Sequence, residues 1–103
     1  MIIAVDFDGT LAVTEYPKII SPITKVIKYC QFRKFMGDTL ILYTCRHGKV
    51  LDEALEWCRE QGLVFDYVNE NVPERIKKYG DCRKIYADKY LDDHNLLLSQ
   101  IKE

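Results

Sequence analysis

The apolar run Met1-Ile-Ile-Ala-Val5 stops abruptly at Asp6-Phe7-Asp8-Gly9-Thr10. A short run without polar alternation fits a strand buried on both faces, and such strands belong to parallel sheets covered by helices. The rest of the chain must then supply more strands of this kind and the helices that connect them.

Three further segments read as strands: Asp38-Thr-Leu-Ile-Leu-Tyr-Thr44, Phe65-Asp-Tyr-Val68, and Ile85-Tyr-Ala-Asp-Lys-Tyr-Leu91. Helical periods lie between them. Ser21 is the expected N-cap of a first helix, with Pro22 at its first helical position. Ile23, Val26, Ile27 and Cys30 form its apolar stripe, which frays where Arg33 and Lys34 take the next core-facing slots, and Gly37 ends it. Phe32, Phe35 and Met36 fall off the stripe, through irregular core packing or as an oligomer contact. A second helix follows Gly48, with Leu51, Ala54, Leu55 and Cys58 opposite Asp52, Glu53, Glu56 and Glu60, and Gly62 closes it. Pro73 to Tyr79 reads as a short helix before Gly80, and a last helix starts at about Asn95. Residues 11–21 contain Pro17 and no helical period, so they read as a loop or small hairpin. Alternating strand and helix gives an α/β fold with a parallel sheet, in a single domain spanning residues 1–103.

Composition excludes some partners. At 48% hydrophobic and 30% charged, with net charge −1, the chain lacks a basic field for bulk nucleic-acid binding. No apolar stretch reaches the roughly 18 residues of a membrane span. The four cysteines Cys30, Cys45, Cys58 and Cys82 form no Cys-x-x-Cys pair, and His47 and His94 complete no zinc spacing. With Asp6 interrupting the N-terminal apolar run, no secretory signal is legible, and the expectation is a cytoplasmic protein with reduced thiols.

In an open parallel sheet, ligands bind beyond the carboxyl ends of the strands. Here those ends carry Asp6 and Asp8, then Thr44, then Asn69, then Asp92 and Asp93. Asp6 can attack phosphorus and form an aspartyl-phosphate, dividing one displacement into two easier ones. Asp8 emerges on the same side of an extended chain and can protonate the leaving oxygen, then deprotonate water. Gly9 lets the backbone turn past a phosphate where a Cβ would crowd it. Thr44 offers a hydroxyl and Lys84 a positive charge to the phosphoryl group. Lys89 is the weaker lysine, since it lies inside the fourth strand. Two like charges about 4 Å apart repel by roughly 4 kcal/mol at an effective dielectric near 20. Converging carboxylates therefore call for a hard divalent cation, and oxygen ligands beside a phosphate favour Mg²⁺ over zinc.

These residues resemble the four motifs of the haloacid dehalogenase (HAD) superfamily, in the right order over nearly the whole chain: Asp6-x-Asp8-Gly9-Thr10, Thr44, Lys84 and Asp92-Asp93. Thr44-Cys45-Arg46 and Lys84-Ile-Tyr-Ala-Asp88 further resemble small capless HAD-like phosphatases of bacteria and phages. The resemblance implies a Rossmann-like three-layer sandwich whose parallel sheet of about four strands runs 4-1-2-3. It implies Mg²⁺ ligands at the Asp6 carboxylate, the Asp8 carbonyl and Asp92, with Asp93 acting through water. Residues 11–21 would be its squiggle and flap. Neither gap between motifs holds a cap domain, so substrate choice falls to the flap, a neighbouring subunit or the substrate itself.

The expected activity is hydrolysis of a phosphomonoester, either a small molecule or a macromolecular end. The alternatives are a phosphotransferase or nucleotidase with the same intermediate, and a catalytically silent HAD-like binding domain. A phospho-accepting receiver domain fits poorly, because its phosphorylated Asp ends a middle strand. Arg46 follows Thr44 on one face, as either a substrate contact or a structural salt bridge. Asn69, at the end of the third strand, is a minor candidate for substrate contact, with turn formation the default. Asp88 lies about 13 Å before Asp92 along a strand and reads as a surface or capping carboxylate.

Overall fold

The computed structural model describes residues 1–80 and 85–92 of the chain. Its elements are β1 (Ile2–Val5), β2 (Ala12–Glu15), β3 (Lys18–Pro22), α1 (Thr24–Phe35), β4 (Thr39–Leu42), α2 (Gly48–Glu60), β5 (Tyr67–Val68), α3 (Pro73–Tyr79) and β6 (Lys89–Leu91). The expected helix from Asn95 lies outside the described residues.

Four strands form one parallel sheet, in which β1 pairs with β4 and β6, and β4 pairs with β5. The α/β class with a small parallel sheet is therefore as expected. In chain numbering its order is β5-β4-β1-β6 rather than 4-1-2-3. Residues 11–21 account for the changed numbering: they hold two strands, paired antiparallel as the separate β2–β3 hairpin.

β1 and β4 explain the layering. Ile3 and Val5 face the same way as Leu40 and Leu42, and bury against Val26, Ile27 and Cys30 of α1 and Ala54 and Cys58 of α2. Ala4 and Ile41 point to the opposite face, where Ala87, Val72 and Ile85 cover them. Both faces of the central strands are thus dry, which is why the sequence shows no alternation there.

Several boundaries moved, each for a reason of hydrogen bonding. Ser21 and Pro22 belong to β3, where they pair with Val13 and Ala12, so the N-cap of α1 is Ile23 and has no side-chain cap bond. The fourth strand begins at Lys89, not Ile85. Upstream, the Tyr86 amide donates to Asn71 Oδ1 (2.7 Å) and the Ala87 amide to the Tyr90 hydroxyl (3.0 Å), so side chains replace the ladder. Asp66 similarly accepts the Leu40 amide at 2.9 Å and shortens the third strand to two residues.

The frayed stripe of α1 also has a cause. Arg33 pairs with Asp38 at 2.5 Å and Lys34 with Asp66 at 2.8 Å, so both basic residues serve the sheet margin. Phe32, Phe35 and Met36 are left exposed at 54%, 86% and 58%, which overturns irregular core packing as their explanation. Asp88 is a capping carboxylate, as read: it accepts the Ile2 amide at 2.7 Å, at the amino end of β1 and away from the site. Among the described residues, no helix is long and apolar enough to cross a membrane.

Candidate active site

The chain leaves β1 with Asp6 held to the neighbouring strand: its amide donates to the Leu91 carbonyl at 2.9 Å. Phe7 turns into the core, fully buried and edge-on to Trp57 of α2, with ring centroids 5.6 Å apart. The Phe7 carbonyl then accepts the amides of Thr10, Leu11 and Ala12, folding residues 7–12 into a compact turn. Gly9 sits in that turn at φ +79°, a conformation that costs a residue with a Cβ roughly 1–2 kcal/mol. Its backbone need is therefore intrinsic to the turn, whatever it faces.

Asp8 meets Arg46 in a bidentate pair, with Nε donating to Oδ2 at 2.9 Å and Nη2 to Oδ1 at 2.8 Å. Thr14 of the hairpin donates to Oδ1 as well, at 2.8 Å. Arg46 also donates to the Val50 carbonyl (3.3 Å) and the Pro17 carbonyl (3.1 Å), and its guanidinium lies over the rings of Phe7 and Tyr16. At 1% exposure it is among the largest buried side chains of the protein. Of the two roles open to Arg46, the structure favours the structural salt bridge over the substrate contact: four hydrogen bonds from its guanidinium are made inside the fold, where it ties the hairpin to Asp8 and α2.

The Arg46 hydrogen bonds hold the Asp8 carboxyl below its ordinary value of 3.8; partial burial opposes them, and Thr14 and the Arg46 charge add to the lowering. Between the folded and unfolded values the unfolded chain binds more protons, so stability is full above the unfolded value and drains as pH falls through the folded one. Thermal denaturation from pH 6 to pH 2 should therefore show melting temperature falling below about pH 4. Asp8→Asn should flatten part of that fall, leaving the share owed to Asp38 and Asp88, whose carboxyls are also lowered. Parallel acid limbs for the two proteins would refute the assignment to Asp8.

Across the strand ends, Thr44 follows β4. Its amide donates to Asn69 Oδ1 at 2.8 Å, and its hydroxyl oxygen accepts the Arg46 amide at 3.1 Å; among the described residues the hydroxyl proton meets no acceptor. On the other flank of β1, Asp92 follows β6; it is 6% exposed and accepts a hydrogen bond from the Tyr43 hydroxyl. A cleft of about 330 Å³ opens at these ends, lined by Asp6, Tyr43, Thr44, Cys45, Asn69 and Ile85.

Of the expected site residues, the fold brings Asp6, Asp8, Thr44 and Asp92 to the carboxyl end of the sheet. Lys84 and Asp93 lie outside the described residues. Two participants escaped sequence reading. Tyr43 sits in an apolar strand and resembles core, and Thr14 lies in a segment with no motif. Only strand pairing could have revealed them.

The donors fit a hard cation. Among the described residues, no three Asp, Glu, His or Cys side chains gather into a metal cage. Asp6 and Asp92 instead supply two carboxylates from adjacent strand ends. Mg²⁺ commonly binds through one or two carboxylates together with waters and substrate phosphate, whereas zinc prefers nitrogen and sulfur.

No protein-family model matches the chain, and no curated protein matches it. Among solved structures, the chain is similar to a conserved protein from Bacteroides thetaiotaomicron. The two are 41% identical and superpose with a TM-score of 0.80, over 93% of this chain and 78% of the other.

Proposed function

We propose, for a chain that belongs to the same family as the conserved Bacteroides thetaiotaomicron protein, a Mg²⁺-dependent phosphohydrolase of HAD type, a reading taken from the chemistry of the site. The observation that carries this reading is the pairing of β1 with β6, with Val5 beside Leu91, which sets Asp6 and Asp92 at neighbouring strand ends. Thr44 follows the strand on the other side of β1. This grouping supports a Rossmann-like three-layer core without a cap.

Mg²⁺ bound between Asp6, the Asp8 carbonyl and Asp92, with Asp93 through water, would neutralise phosphoryl charge. An Asp6 oxygen bonds to phosphorus as the ester P–O bond breaks, giving an aspartyl-phosphate and a leaving alcohol. Water then attacks phosphorus, the bond to Asp6 breaks, and inorganic phosphate departs. Asp8 gives a proton to the leaving oxygen in the first half and takes one from water in the second. Its pairing with Arg46 favours the ionised form, so the second duty suits the resting geometry better. Aryl phosphates, whose leaving groups need little protonation, are accordingly the favoured test substrates. Thr44 and Lys84 donate to the phosphoryl oxygens.

The test is hydrolysis of an aryl phosphate by the wild-type protein, with Mg²⁺ and after chelation. Turnover that requires the metal is the expected result. Absence of activity across a panel of phosphomonoesters would overturn the reading and favour a silent binding domain. Phosphate transfer to an added alcohol would make the protein a phosphotransferase.

A further inference from the structure

The cleft contains a hydrogen-bond donor for which the sequence favoured a turn-forming role over a substrate contact. Asn69 follows β5 at φ +54°, the one residue other than glycine with a positive φ among the described residues. Asparagine tolerates this conformation, and a turn alone would explain its choice. Its side chain, however, is committed in one direction. Oδ1 accepts the Thr44 amide at 2.8 Å, so the opposite end of the amide is Nδ2 and carries two donors. Among the described residues Nδ2 meets no protein acceptor, and Asn69 lines the cleft with Asp6 and Thr44.

The loop holding it is anchored at both ends. The Asn69 amide donates to the Leu42 carbonyl at 2.7 Å, and the buried Asn71 accepts the Tyr86 amide at 2.7 Å. Bracing on each side of this loop fixes the orientation of the Asn69 side chain, as a preorganised binding group requires.

We infer that Asn69 is a substrate-binding residue whose Nδ2 donates to a phosphoryl oxygen of the substrate, beside the Thr44 hydroxyl. The inference rests on the phosphohydrolase reading and extends it. The Asn69–Thr44 bond makes the two donors one unit: the side chain that braces Thr44 also presents its own N–H to the same ligand. A phosphoryl group offers several acceptor oxygens, so both donors can be used at once.

Two substitutions separate this role from a turn. Asn69→Asp keeps the acceptor for Thr44 and tolerates positive φ, but exchanges the donor for a negative oxygen. Asn69→Gly keeps the backbone conformation and adds no charge, but removes the donor together with the acceptor for the Thr44 amide. Binding of inorganic phosphate with Mg²⁺ is measured by calorimetry, and aryl phosphate kinetics alongside it. Asn69→Asp is expected to weaken phosphate binding and raise KM by about 10-fold or more, with melting temperature little changed, as expected for a lost charge-assisted bond. Asn69→Gly should weaken both by about 3- to 10-fold. Wild-type affinity and KM in Asn69→Gly would overturn the inference even if Asn69→Asp is impaired, since charge alone would then explain the second variant. Wild-type behaviour in Asn69→Asp would overturn it too. A wild-type protein inactive on every phosphomonoester would defeat the phosphohydrolase reading, and this role with it; the other two outcomes leave that reading standing.

Discussion

Asp6→Asn is expected to lose aryl phosphate turnover by at least about 10³-fold while melting within a few degrees of the wild-type protein, or above it. The two halves of this result have separate causes. An amide has no anionic oxygen with which to attack phosphorus, so the covalent route closes. Two bonds that fix Asp6 in the fold, by contrast, use groups that asparagine retains. The backbone amide still donates to Leu91, and an Oδ1 remains to accept the Phe7 amide, now at 2.7 Å. Removing one charge beside Asp92 also relieves carboxylate repulsion in the metal-free protein. Activity that survives in Asp6→Asn would end the aspartyl-phosphate mechanism. A large loss of melting temperature would instead mark Asp6 as structural.

Arg46→Met is expected to do the reverse, with its largest effect on stability. Methionine replaces a good part of the buried volume but none of the four hydrogen bonds to Asp8, Val50 and Pro17. It also leaves the Asp8 carboxylate without its countercharge. Removing one partner of a buried pair commonly costs about 3–5 kcal/mol. Asp8 retains 30% side-chain exposure, so water recovers part of that and about 2–3 kcal/mol is expected. For a chain of this size the melting temperature should drop by roughly 10–20 °C. Arg46→Lys should recover little, because an ammonium cannot reproduce the planar fork that meets both Asp8 oxygens. In a double-mutant cycle, Asp8→Asn with Arg46→Met should cost less than the two single losses added together. A loss below about 0.5 kcal/mol for Arg46→Met would show the pair to be energetically idle.

Arg46 illustrates how far residue order could carry the reading. Its position two residues after Thr44 announced a charged group near the strand ends, and both roles open to it required that. Choosing between them depended on a partner, Asp8, distant along the chain, and on the aromatic walls Phe7 and Tyr16. Asn69 is the opposite case. Its type favoured a turn over a substrate contact, and its value became visible when β5 paired with β4 and brought its side chain to the Thr44 amide.

The apolar run ending in Asp6 was enough to require a covered parallel sheet, and periodicity was enough to interleave strands with helices. These are local properties: burial on two faces and the helical repeat are written in neighbouring residues. Acidic and hydroxyl groups at strand ends were legible for the same reason, since each directly follows an apolar run. The tertiary structure alone decided which ends adjoin, that Arg46 turns inward, and that Tyr43 and Asn69 reach the cleft. Those outcomes depend on strand pairing and packing between distant segments, and no stretch of neighbouring residues encodes them.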